Sequence, residues 1–163
     1  MKKSKKQNII IVAIAVIIIG AIAGYNYSVD QTKQKGLKFG NELQQIQEDV
    51  KQLQTEFNSK ITQWEEEDLS QQELSEYSKN HIEKLQNVIL KYDDLIPPKQ
   101  FASSVELFKL STQAQLDSDK EFIEWIKTSD DSHKIRSDSL LQESFEYEMM
   151  ALGEFNAAKS GLR

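Results

Sequence analysis

Between Phe39 and Trp64 the apolar side chains fall at Phe39, Leu43, Ile46, Val50, Leu53, Phe57, Ile61 and Trp64. The steps are 4, 3, 4, 3, 4, 4 and 3. Only a helix brings such positions to one side, and a seam sustained beyond three heptads is meant for other helices. The spacing predicts a helix over about 30–66, with charged and amide side chains on the remaining faces. Two Pro and six Gly in 163 residues leave little material for a turn-rich β sandwich.

The rest of the chain continues in the same style. Residues 65–70, EEEDLS, end the first helix. Ser70 with Glu73 three residues on has capping-box form, so a second helix starts there. It carries Leu74, Tyr77, Ile82, Leu85, Val88, Ile89 and Tyr92 and stops before Pro97 and Pro98. A third runs from about 99 to 128 on Phe101, Val105, Phe108, Phe122 and Ile126. The polar TSDDS stretch, Thr128–Ser132, breaks the chain. A fourth helix follows from about 132 to 159 on Ile135, Leu141, Phe145, Met149, Leu152 and Phe155, with Gly161 as its stop. Four helices of similar length on short loops predict an all-α fold, an antiparallel up-down four-helix bundle with a long heptad-patterned first helix.

The N-terminus is of another kind. Lys2, Lys3, Lys5 and Lys6 precede residues 9–25, IIIVAIAVIIIGAIAGY, which hold no charge. At ~1.5 Å per residue the run spans about 25 Å, a little short of a ~30 Å hydrocarbon core. The expected layout is a basic cytoplasmic tail (1–8), a transmembrane signal anchor in membrane lipid (9–25), a stalk (26–36) and an extracytoplasmic bundle (37–163). Cleavage as a signal peptide near Ala23, after an A-x-A pattern at Ala21 and Ala23, is the alternative and would yield a secreted bundle. Gly20 and Gly24 make a GxxxG pair through which two membrane helices could pack, giving a homodimer. Topology then puts the Pro97–Pro98 turn at the membrane-side pole and Trp64 and Trp125 at the distal pole. There the two indoles either close the core with Ile61, Phe122 and Ile126 or form a distal partner surface.

Chemistry is sparse. Zero Cys excludes disulfides, thiolate metal sites and cysteine nucleophiles. Of the two histidines, His81 lacks the Glu-x-x-His pattern of di-iron bundles, since position 78 is Ser, and His133 is expected in solvent near a helix N-terminus. No phosphate loop, nucleophile elbow or HExxH occurs. Neither a cofactor, a metal site nor catalysis is expected. Residues 26–163 carry 16 basic and 26 acidic side chains, net −10, which argues against nucleic acid as a partner.

One local oddity remains. Extending the third-helix stripe from Phe108 lands on Thr112, Gln115 and Asp119, while the fourth helix offers Ser137, Ser144 and Glu148. Either these form a buried polar layer between helices 3 and 4, or the stripe shifts to Leu107, Leu110, Ala114 and Leu116 and they face solvent. A buried layer needs satisfaction and so points to register, water or a small ligand. The expected function is a membrane-anchored, non-enzymatic bundle that binds or scaffolds another envelope protein. The alternative is a sensor or carrier with a small ligand in the polar layer. The layout resembles the sensory domains of chemoreceptors and histidine kinases in architecture alone. No functional residues carry over from that resemblance.

Overall fold

The computed structural model describes residues 18–24 and 34–161. Among them the chain is helical throughout, with no strand. Four long helices, α1 (Gln34–Glu65), α2 (Gln71–Asp93), α3 (Ala102–Thr128) and α4 (Asp131–Ser160), form a helical bundle. Residues 18–24 are also helical, and one 3-10 turn, Lys99–Phe101, leads into α3.

The ends follow from local chemistry. The Glu73 amide donates to Ser70 Oγ at 3.2 Å and the Ser70 amide donates to Glu73 Oε2 at 2.9 Å, a complete capping box. At α4 the Ser132 amide donates to the Asp130 carboxylate at 2.9 Å. The α3–α4 turn reverses through Ser129 in the left-handed region (φ 57), its amide donating to Trp125 O at 2.8 Å.

Contacts between helices show alternating directions. In the middle of α1, Gln47 meets Tyr92 at the end of α2. Two turns on, Gln54 meets Asp119 in the second half of α3. Gln71, opening α2, donates to Ile126 O near the end of α3 at 2.7 Å. The pole holding the start of α1 and the end of α4 is called proximal below, and the opposite pole distal.

The proximal half is an apolar core. Phe39, Phe101 and Phe155 are all buried, with ring centroids 5.6 Å apart for Phe39–Phe101 and 5.0 Å for Phe101–Phe155. Tilted rings at these separations are favourable. Leu43, Ile46, Val88, Tyr92, Leu95, Val105, Phe108, Ala151 and Leu152 belong to the same cluster.

α3 and α4 form the closest-packed pair in the molecule. Ser104, Ser111 and Ser118 recur every seven residues on α3, and Ser137, Ser144 and Ala151 do so on α4, all buried. Small side chains at each contact layer let the two backbones approach. Ser144 Oγ donates to Ser111 O at 2.9 Å, and Ser118 Oγ donates to Ser137 O at 2.8 Å. This seam corrects the apolar stripe expected for the fourth helix. Ile135 and Met149 are exposed, at 70% and 47%. Leu152 and Phe155 are buried as expected and Phe145 packs against the same cluster, while along the seam itself serines face α3 because the close approach leaves no room for anything larger.

Of the N-terminal layout, only residues 18–24 and the last part of the stalk are described. No described helix is long and apolar enough to cross a membrane. Residues 9–17 and 25 of the expected anchor, the basic tail 1–8 and residues 26–33 of the stalk lie outside the described residues. Residues 18–24 do not stand ahead of the bundle but lie against it. Ile18 and Ile22 are wholly buried in the proximal cluster, and Lys159 Nζ lies 3.5 Å from Ala21 O. Two fully buried isoleucines contribute roughly 3–6 kcal/mol of apolar burial, which explains why the segment seats there.

Candidate functional site

The distal half has a different interior. The inward positions of α2 are Leu74, Ser78, His81, Leu85, Val88 and Tyr92, an unbroken 4-3 series in which positions 78 and 81 are polar. On α1, Gln47 and Gln54 point inward, flanking the apolar seam. On α3, Thr112, Gln115 and Asp119 are buried at 3%, 7% and 7% exposure. The oddity in the third-helix pattern is thus an inward face, and Leu110 is the exposed member of the shifted stripe.

These groups form two networks. In the upper one, Gln47 Nε2 donates to the Tyr92 hydroxyl at 2.8 Å, and that hydroxyl lies 3.1 Å from Thr112 Oγ1. Thr112 in turn donates to Phe108 O at 3.0 Å, so every group has a partner. Burial raises the Tyr92 hydroxyl well above its ordinary pKa and keeps it neutral.

In the lower network Asp119 Oδ2 accepts from Gln54 Nε2 at 2.8 Å and lies 2.9 Å from His81 Nε2. His81 is fully buried and stacks on Phe57, ring centroids 4.2 Å apart and 7° from parallel. A hydrogen bond to the carboxylate places a proton on Nε2. His81 Nδ1 is buried without a partner. As a bare acceptor it costs less than an orphaned N–H would.

Below this network a cavity of about 110 Å³ opens between α1 and α4, with α3 as its floor. Gln115, Ser118 and Asp119 line the floor, and Phe57, Ile61 and Leu141 are the apolar walls. Phe122 and Trp125 stand at its distal rim. Lys134 Nζ lies 5.4 Å from the Phe122 ring centroid and 6.0 Å from that of Trp125, and pairs with Asp138. The α3–α4 seam itself is filled by serines, so the space lies beside that seam rather than within it.

The expected site residues therefore separate. Gln115 and Asp119 share the cavity floor; Thr112 belongs to the Tyr92 network; Ser144 is part of the seam. Glu148 is half-buried on α4, and burial raises its carboxyl pKa to about 7. Trp64 and Trp125 are half-buried and meet edge to face at 6.1 Å, and Trp125 also lines the cavity. Gly20 faces open space, and a Cβ on Gly24 would stand 3.0 Å from Lys159 Nζ. His133 is not alone in solvent. Its Nδ1 lies 2.6 Å from Glu121 Oε2, and that hydrogen bond raises the imidazole pKa.

Apolar spacing does not mark Gln54, Ser78 and His81 as core positions because they are polar, and His81 and Ser78 enter the sequence analysis only as a rejected metal pattern. Their spacing was the available signal: positions 78 and 81 complete the heptad between Leu74 and Leu85, and Gln47 and Gln54 lie seven apart. Among the described residues no three His, Cys, Asp or Glu side chains are placed to hold a metal ion. No protein-family model, curated protein or solved structure matches the chain.

Proposed function

We propose that the chain is a membrane-anchored, non-enzymatic binding bundle that takes a small polar ligand in the distal cavity. The observation that carries this reading is the pairing of a polar floor with apolar walls in one concave space. A core that spends burial on Gln54, His81, Gln115 and Asp119 gives up stability an apolar core would have provided. A binding site is a sufficient reason for that loss.

Scaffolding of another envelope protein has weaker support. The exposed large apolar residues, Leu90, Ile96, Leu110, Ile135, Met149 and Met150, are spread over α2, α3, α4 and the 94–98 turn. The anchor rests on the uncharged run 9–25 behind four lysines. Burial of Ile18 and Ile22 supports a competing place for part of that run, on the bundle itself.

Amide and side-chain NMR of the full chain in lipid nanodiscs tests the reading, with a panel of small neutral, anionic and cationic compounds. At least one compound is expected to shift Gln54, Gln115, Ser118 and the Trp125 indole while leaving Phe101 and Phe155 unmoved. No shift at those positions with any compound would defeat it.

A further inference from the structure

We infer that the distal cavity selects a small primary alkylammonium, held by Asp119 Oδ1 and the Gln115 amide oxygen; this rests on the binding reading above. Two independent features point there. Asp119 is 93% buried by its 7% exposure, and both its hydrogen bonds fall on one oxygen, Oδ2. Its second oxygen, Oδ1, has no partner among the described residues, and the residue lines the cavity. Gln115 is equally buried, lines the same floor, and makes no side-chain hydrogen bond to any described residue. The polar atoms of Gln115 and Asp119 Oδ1 are not sealed in the core, where His81 Nδ1 is the one buried side-chain N or O atom without a partner among the described residues; they open onto the cavity, where a ligand that supplies donors can meet them. Residues 115 and 119 are one helical turn apart on α3 and line the same cavity, so the two side chains share one face.

The formal charge lining the cavity is net negative. Glu65, Asp119 and Asp138 line it against a single base, Lys134. A cation is favoured and an anion repelled. The rim already holds an ammonium over its rings, that of Lys134, so the aromatic faces accept this chemistry. A quaternary ammonium fits the charge but has no N–H for two bare oxygens; a primary ammonium has three donors. The volume of about 110 Å³ falls short of the ~150 Å³ that admits a benzene ring. It suits a stem of a few carbons, for which Phe57, Ile61 and Leu141 are the wall.

The test is titration of the full chain with n-propylammonium, tetramethylammonium, 1-propanol and propionate at constant ionic strength, read at the Gln115 side-chain amide and the Trp125 indole. Propylammonium should bind at least tenfold more tightly than the other three. Asp119→Asn keeps an acceptor for Gln54 and His81 but turns an NH2 toward the cavity, and should weaken propylammonium at least tenfold. Should that variant lose its fold, Gln115→Met keeps the shape without the acceptor and should weaken binding at least threefold. Lys134→Met removes the internal competitor and should strengthen binding severalfold. Tetramethylammonium binding as tightly as propylammonium would overturn the assignment, since charge alone would then decide. Preference for propanol or propionate would overturn it and leave the binding reading standing. Silence from all four probes and from the wider panel would remove both.

Discussion

The two halves of this bundle solve the same packing problem with different materials. At the proximal pole, Phe39, Phe101 and Phe155 meet ring to ring among aliphatic side chains. At the distal pole the equivalent layers hold Gln54, His81 and Asp119, with a cavity beside them. Helix number, direction and spacing are common to both. What differs is that the proximal layers are mostly apolar, their polar groups confined to the Gln47–Tyr92–Thr112 network and Ser104, whereas the distal layers hold a buried carboxylate and imidazole beside a cavity. Stability is therefore expected to concentrate at one end and binding at the other.

The largest effect should come from the proximal end. Phe101→Ala removes the ring that touches both Phe39 and Phe155, and should cost about 4 kcal/mol in urea unfolding. A loss below about 1 kcal/mol would mean that the proximal core is no tighter than the distal one. His81→Leu should cost about 3 kcal/mol, because it leaves the Asp119 carboxylate buried with only Gln54. Adding Asp119→Asn removes that stranded charge and keeps an acceptor for Gln54, so the double variant should lie within about 1 kcal/mol of the parent. Additive losses would show that the pair is ordinary packing.

Glu148 gives the smallest effect and a pH signature. Burial holds its carboxyl near a pKa of about 7 in the folded chain, above its ordinary value. The unfolded chain ionises first as pH rises, so the contribution to stability is fully present below about pH 4.5 and is lost as pH climbs through 7. Undiscounted, that shift amounts to about 3 kcal/mol; solvent screening of the half-exposed side chain lowers it, so Glu148→Gln should stabilise by about 2 kcal/mol at pH 8 and leave stability unchanged at pH 4. Equal stabilisation at both values would mean that shape, not charge, decides at this position.

The contrast between the halves also explains what could be read from the sequence. The helices were legible because Leu and Phe spacing carries a 3.5-residue period, and Ser70 with Glu73 announces α2. The inward face of α4 was legible only towards its end, at Leu152 and Phe155. Ser137, Ser144 and Ala151 are small, and a hydrophobic pattern passes over them in favour of Ile135 and Met149, which the structure exposes. His81 and Gln54 were passed over for the same reason, since apolar periodicity finds a core only where the core is apolar. Thr112, Gln115 and Asp119 were visible as a break in a stripe, but whether they faced inward depended on how α3 turns between its neighbours. That turn is fixed by the serine seam, a tertiary contact between residues far apart in sequence.

Water-to-protein magnetisation transfer by NMR tests the central contrast most directly. Transfer is expected to the side-chain amides of Gln54 and Gln115 and to the Trp125 indole, with none to the rings of Phe39, Phe101 and Phe155. Transfer to the phenylalanine rings, or a dry distal floor, would contradict the division of this bundle into a sealed end and an open one.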